Sequence, residues 1–256
     1  MRFENFSEPK DGAQQLSGSV ASFLREKIIS GQLKPGDFLR IDSIATELRI
    51  STTPVREGLL LLQSESFVRL LPRRGFVVNS FNKEDLRDIF WAQAIVGAEL
   101  AARATAKMSA EELEQLRELD AQHEEAFQAG DENHVHLGYE FHRFINLVAR
   151  SPRLALLMGN LTKQLPIRFY AEIEGQVADT LKYHPIILDA MRMKDSEAVR
   201  SLMFRHIMSG AEKLIDSLER SGVWESEEQA PQEEPEARPE PLAGKRLATK
   251  RRKASI

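Results

Sequence analysis

Ser51-Thr52-Thr53, followed by Arg56, places hydroxyls and a guanidinium within about two helical turns of one another. That combination suits the reading of DNA. Hydroxyls bond phosphate oxygens or base edges, and an arginine can donate a bidentate pair to guanine O6 and N7, worth about 1–3 kcal/mol of discrimination. Further along, Arg73-Arg74-Gly75 joins two cations to a residue with a permissive backbone, which fits a turn lying on the phosphates or entering a minor groove. Arg40 is a further candidate contact. A second chemistry is that of imidazole. The chain has no cysteine, which excludes disulfides, thiolate metal sites and thiol catalysis and leaves nitrogen and oxygen as the only metal ligands. His142, His184 and His206 lie far apart in sequence. Spacing alone does not make them a site, because a lone helical histidine is more often a surface or hydrogen-bonded residue.

The elements that must position these groups follow from the apolar pattern. Residues 1–15 have no periodicity and read as a flexible arm. Val20, Phe23, Leu24 and Ile28 recur at helical spacing, and Ser30-Gly31 stops that helix. A Pro35-Gly36 turn leads to a short second helix with Ile44, Ala45 and Leu48 on one face and Asp42 as its cap. The third helix opens at Ser51-Thr52-Thr53-Pro54, whose hydroxyls can cap it, and buries Val55, Leu59 and Leu62. Phe67–Leu71 and Phe76–Val78 read as two strands around the basic turn. Three helices and a basic hairpin make a winged helix-turn-helix over residues 16–80.

Residues 81–222 carry helical patterns only: Glu84–Lys107, Ala110–Gln128, His134–Arg150, Arg153–Ala171, Val177–Met193 and Ser196–Ser221, with Ser109 and Glu112 as a capping box. The predicted fold class is mainly α, an N-terminal winged helix-turn-helix plus a C-terminal all-helical bundle, joined by a linker near Ser80. Residues 223–256, rich in Glu and Pro and then in Lys and Arg, hold too little apolar content to fold and read as a disordered tail.

A net charge of −4 over 256 residues looks unfavourable for DNA. The local balance has the other sign. Between Val20 and Ser80 the bases Arg25, Lys27, Lys34, Arg40, Arg49, Arg56, Arg69, Arg73 and Arg74 outnumber Glu26, Asp37, Asp42, Glu47, Glu57 and Glu65. No stretch reaches the roughly 18 apolar residues of a membrane span, and the first residues lack a secretory layout. The expected location is the cytoplasm, on the nucleoid, with no membrane partner.

Three segments in order, Ile29–Asp37, Ser51–Leu59 and Pro72–Val78, resemble the GntR family of winged-helix regulators. The resemblance implies a homodimer that binds double-stranded DNA at an inverted repeat through Arg40, Ser51, Thr52, Thr53, Arg56, Arg73, Arg74 and Gly75. Two positions depart from the family pattern: Thr52 stands where Arg is usual, and Gly58 where Ala is usual. Phe141-His142, His184 with Ile187, Leu188, Ala190 and Asp195, and Met203–His206 resemble the FCD ligand-binding domain of the FadR-like GntR subfamily. That resemblance implies a divalent metal, zinc or nickel, held by His142, His184 and His206 at the floor of a pocket for a small-molecule effector.

The subfamily also has an Asp one turn before the first histidine, where this chain has Gly138, and an Arg and a Glu in the first helix of the domain, where it has Gln93 and Gly97. Gln93 is the candidate effector contact, able to donate a hydrogen bond but not the charged fork of an arginine. The three departures are expected to open volume and to favour an effector larger or less acidic than small organic acids. His123, His134 and His136 lie off the pattern and are expected at the surface. The resulting reading is an effector-responsive transcription regulator. Two alternatives stand beside it: a constitutive DNA-binding protein with a degenerate pocket, and a three-histidine metalloenzyme acting through a metal-bound water. Against the last, no general acid or base accompanies the histidines.

Overall fold

A computed structural model describes residues 12–166, 169 and 176–224. Helix α1 (Gly12–Ile29) buries Val20, Ala21, Leu24 and Ile28 on one stripe, and Gly31 ends the segment with a left-handed φ of 70° that a Cβ would strain. The helix starts ahead of its predicted beginning, so residues 12–15 are helical; the rest of the predicted arm lies outside the described residues.

A two-residue strand that the apolar pattern does not reveal, β1 (Phe38–Leu39), leads into α2 (Ile41–Leu48). The cap of α2 is Arg40 in extended conformation, with no side-chain cap bond, and Asp42 sits inside the first turn. The predicted Asp42 cap is therefore corrected: the helix begins two residues earlier than a cap at the aspartate would need, and Asp42 instead opposes the positive helix end. Arg49, with a φ of 56°, ends α2 and turns the chain into α3 (Thr52–Ser64).

Strands β2 (Val68–Leu71) and β3 (Gly75–Val78) pair antiparallel, Val68 opposite Val78 and Leu71 opposite Gly75. The sheet order β1-β3-β2 makes β3 the central strand, which explains why Phe76, Val77 and Val78 are all buried.

Among the described residues beyond Val78 there are only helices: α4 (Lys83–Lys107), α5 (Ala110–Gln128), α6 (His134–Val148), α7 (Pro152–Thr162), α8 (Gln176–Arg192) and α9 (Ser196–Arg220). The Ser109–Glu112 capping box of α5 forms as predicted, with Glu112 N donating to Ser109 Oγ at 3.0 Å and Ser109 N to Glu112 Oε2 at 2.8 Å. A second box, Asn82 with Asp85, starts α4. Helix α7 stops at Thr162, short of the predicted Ala171; residues 167, 168 and 170–175 lie outside the described set.

Helix α9 packs chiefly along α4 and α8, and α5 along α6. Two apolar cores result. One joins Ala98, Ala101, Leu116, Phe141, Ile145, Ile187, Met191, Val199 and Met203 within the helical part. The other is shared: Leu24, Ile29, Val55, Leu59, Leu62, Phe67 and Phe76 of the winged helix pack with Leu86 and Phe90 of α4 and Ala211, Leu214, Ile215 and Leu218 of α9. Trp224 closes this core, its Nε1 donating to the Phe81 carbonyl at 3.0 Å. The predicted tail therefore starts too early at 223, because Trp224 is buried; residues 225–256 lie outside the described set.

Candidate functional site

The helix-turn-helix presents its polar groups by burying everything behind them. Val55, Leu59 and Leu62 of α3 are fully buried, while Ser51, Thr52, Thr53 and Arg56 are exposed. Ser51 is the cap residue but makes no side-chain cap bond, which corrects the capping role expected for it. Its extended φ of −73° and ψ of 163° place it at the helix start without turning its hydroxyl onto the backbone N–H groups. Gly58 explains its own departure from the family pattern. A Cβ there would stand 2.9 Å from the Ser17 carbonyl oxygen and 2.9 Å from Val20 Cγ1, so α1 crosses α3 closer than an alanine allows.

The bases of this domain fall into two groups. Arg25 is buried and donates to Glu65 through Nε at 3.0 Å, with its guanidinium 5.7 Å from the Phe67 ring centroid. Lys27 pairs with Glu47 at 2.7 Å. Both hold the domain together. Arg40, Arg56, Arg73 and Arg74 are exposed, and the hydrogen bonds and ion pairs among the described residues leave their side chains without a protein partner. Arg73 takes a φ of 64° and Gly75 a φ of 95° at the wing tip, a conformation glycine adopts without strain. Arg49 and Arg69 are likewise exposed and unpaired among the described residues. Both enter the local charge balance, but no motif marks either as a DNA contact.

The second site is a cluster of imidazoles. Helix α6 supplies His142, α8 His184 and α9 His206, and one ligand nitrogen from each lies within 4.8 Å of the other two. His206 Nε2 is 3.2 Å from His142 Nε2, with the rings stacked at 11°. His184 is packed under Phe141, ring centroids 3.7 Å apart, and its Nδ1 meets Asp120 Oδ1 at 2.8 Å. An Nδ1–H donated to that carboxylate leaves the Nε2 lone pair free to bind an ion. Burial lowers the pKa of His142 to about 4 and holds those of His184 and His206 well below the ordinary histidine value, with neighbouring imidazoles adding to the effect. Neutral imidazoles with free lone pairs are the form a divalent ion requires. His184 Nε2 and His206 Nδ1 are buried without a hydrogen-bond partner, a costly state that a bound cation relieves at the nitrogen facing it.

The structure corrects the surface reading of His123. It is 2% exposed, with its ring centroid 5.7 Å from that of His184, and it forms a second potential ligand group with Asp120 and His184. Burial lowers its pKa, against the pull of Asp120, and burial raises that of Asp120. No spacing signal could have found it, because α5 carries it into the cluster from outside the motif. His136 is exposed and His134 half-buried.

The expected extra volume is also absent at two positions. A Cβ at Gly97 would meet Ile207 Cδ1 at 2.7 Å, and one at Gly138 would meet His123 Nε2 at 3.4 Å, so neighbouring side chains fill both places. Gln93 is buried, and its Nε2 donates to the Leu161 carbonyl at 3.1 Å. A surface cleft of about 510 Å³ lies between α4 and α9, lined by Ile95, Glu99, Glu197, Arg200 and Phe204. Arg200 is committed there to Glu99 and Glu197, and none of the clustered histidines lines this cleft.

Comparison with known proteins assigns both halves. The family described as bacterial regulatory proteins, gntR family, matches residues 16–78, and the FCD domain matches residues 88–209. The HTH-type transcriptional regulator McbR of Escherichia coli is 26% identical over 193 residues, covering 72% of this chain and 86% of McbR. The solved structure of E. coli McbR/YncC superposes with a TM-score of 0.58 at 25% identity, over 81% of this chain and 98% of that one. The gluconate operon transcriptional repressor of Bacillus subtilis is 39% identical over 71 residues, 28% of this chain and 29% of the repressor. These relatives are regulators and not enzymes, and among the described residues no helix is long and apolar enough to cross a membrane. The chain belongs to the GntR family of DNA-binding transcriptional regulators, with a winged helix-turn-helix followed by an FCD effector-binding domain.

Proposed function

We propose that this regulator binds an inverted-repeat operator as a homodimer, with residues 16–80 as the DNA-binding domain and residues 81–222 as the effector-binding and dimerisation domain, and works in the cytoplasm on the nucleoid. Ser51, Thr52, Thr53 and Arg56 enter the major groove, while Arg40, Arg73, Arg74 and Gly75 engage the backbone or minor groove. The observation that carries this assignment is the division of the cations: Arg25 and Lys27 are committed to internal carboxylates, and Arg40, Arg56, Arg73 and Arg74 are exposed and left for phosphates and bases. A dimer doubles the few bases that one recognition helix can read.

His142, His184 and His206 hold zinc or nickel, ions suited to imidazole ligands, and a bound ion supplies a Lewis-acidic position for an anionic or carbonyl oxygen of the effector. Gln93 contributes to effector recognition once an effector displaces its bond to Leu161. Coupling to DNA has a physical route. Helix α9 carries His206 and also, two to three turns on, Leu214, Ile215 and Leu218 of the core shared with the winged helix. A shift of α9 on ligation therefore bears on the recognition domain, a coupling between two sites.

The filling of the places beside Gly97 and Gly138 supports a second reading, a constitutive DNA-binding protein whose effector pocket has closed. Selection of binding sites from a library of short duplex DNAs, at fixed salt and with and without added zinc, tests both. Wild type should select an inverted repeat that Arg56→Ala does not select. Absence of any preference in either protein overturns the recognition-helix assignment. Zinc-independent selection favours the constitutive reading.

A further inference from the structure

Five non-glycine residues among those described hold a left-handed φ: Arg49, Ser66, Arg73, Arg150 and Lys194. Four are bases, and they divide by what their side chains touch. In the helical domain Arg150 reaches Glu112 at 3.5 Å, and Lys194 Nζ donates to the carbonyls of Thr105 at 3.1 Å and Met108 at 2.5 Å, so internal contacts account for both. Arg49 and Arg73 lie in the winged helix, and both are exposed with no side-chain partner among the described residues. Arg73 is the wing-tip base already placed on DNA. Arg49 has no role assigned to it.

The backbone at Arg49 has the shape of a glycine position. Helix α2 closes there with two bonds, Ile50 N donating to the Ala45 carbonyl at 3.0 Å and Arg49 N to that of Thr46 at 3.3 Å, around a φ of 56° and a ψ of 41°. Glycine fills such a place at least cost, because a Cβ crowds the following carbonyl in the left-handed region. Arginine there costs stability, and residues held in disfavoured backbone cluster where ligands bind. Glu47, the nearest carboxylate along the chain, is paired with Lys27 at 2.7 Å and does not neutralise Arg49. Two residues, at most about 7 Å of chain, separate Arg49 from Ser51 at the exposed start of α3.

We propose that Arg49 is a further DNA contact, a phosphate-binding arginine that anchors the start of α3 beside the bases that α3 reads. This rests on the reading of α3 as the recognition helix. The first helix of such a pair crosses the DNA backbone and the second enters the groove, so the turn between them lies at the groove edge, where phosphates stand. A guanidinium can donate two parallel N–H bonds to one phosphate. That contact sets register and orientation and carries no sequence information.

The test sets stability against affinity in the full-length protein. Arg49→Gly relieves the backbone and should raise the melting temperature by about 2–4 °C. It should also weaken binding to short duplex DNA by roughly 10-fold at low salt, on selected and random sequences alike, and reduce the slope of log affinity against log salt by roughly 0.9. Arg49→Ala should lose the same affinity without the gain in melting temperature, and Arg49→Lys should keep the salt slope. Unchanged affinity and slope in Arg49→Gly and Arg49→Ala, with selectivity lost in Arg56→Ala, would overturn the contact and leave α3 as the recognition helix. A lower melting temperature for Arg49→Gly would overturn it too, since the side chain would then serve the fold. Binding indifferent to Arg49→Gly and Arg56→Ala alike would remove the recognition-helix reading, and this contact with it.

Discussion

Asp120 Oδ1 lies 2.8 Å from His184 Nδ1, so a carboxylate on α5 fixes the tautomer of an imidazole on α8. The bond is sheltered: His184 is fully buried and Asp120 mostly so. A metal-ligating histidine whose far nitrogen is held in this way is pre-oriented and more basic, and loss of such a partner typically costs about 10–100-fold in affinity. Asp120→Ala should therefore weaken zinc binding by that order, and Asp120→Asn, which keeps an acceptor oxygen without the charge, by less. Chelator competition at fixed pH measures both. Equal affinity in Asp120→Ala and wild type would show that the bond serves packing alone.

Gly58 marks the closest approach of α1 to α3, and its test is one of stability. Alanine would gain roughly 1 kcal/mol of helix propensity over glycine. It would also force its Cβ against the Ser17 carbonyl oxygen, a backbone atom that cannot rotate away. Overpacking of this kind costs typically about 1–3 kcal/mol. Gly58→Ala should lower the melting temperature by a few degrees, since 1 kcal/mol corresponds to about 2–4 °C in a chain of this size. A rise in melting temperature would mean that the helices separate freely and that their close approach is not a constraint.

The winged helix is legible in the sequence because its signals are local. The apolar stripe of Val55, Leu59 and Leu62, the hydroxyl-rich start at Ser51 and the basic turn before Gly75 each lie within a few residues. The strand at Phe38–Leu39 is not legible, because two residues carry no period and the strand exists only through pairing with Val77 and Phe76. In the helical domain, the motifs around His142, His184 and His206 point to the right helices. What occupies the places beside Gly97 and Gly138 does not follow from them, because Ile207 and His123 arrive from elements 110 and 15 residues away. A missing side chain read from sequence looks like a cavity, whereas a close-packed interior fills it.

Arg56 and the wing arginines should separate by the kind of affinity they supply. Arg56 projects from the first turns of α3 and should touch base edges, so Arg56→Ala should flatten preference at one position of each half-site, by about 1–3 kcal/mol. Arg73→Ala and Arg74→Ala should weaken all sequences alike and reduce the slope of log affinity against log salt by roughly 0.9 for each phosphate that is no longer neutralised. Binding titrations at several salt concentrations on matched and mismatched duplexes give both quantities. Should Arg56→Ala shift only the salt slope, Arg56 binds phosphate and the base reading falls to Ser51, Thr52 or Thr53.

The shared core makes a prediction about cooperativity. His206 and Leu214 lie eight residues apart on α9, roughly 12 Å at the helical rise, with one end of that span in the imidazole cluster and the other packed against the winged helix. If the helix is the mechanical link, metal that stabilises the cluster stabilises the DNA-binding domain too. Free zinc at about 100 times its dissociation constant would contribute about 2.7 kcal/mol. Trp224 reports from the shared core and is buried, whereas Trp91 is exposed, so a Trp91→Phe background isolates the signal of Trp224. Chelation should lower the melting midpoint seen by Trp224 fluorescence as much as that seen by helical circular dichroism, and His206→Ala should abolish both shifts. A Trp224 transition indifferent to zinc, beside a helical transition that responds, would show that the two halves unfold separately and that occupancy of the cluster does not reach the recognition helix through α9.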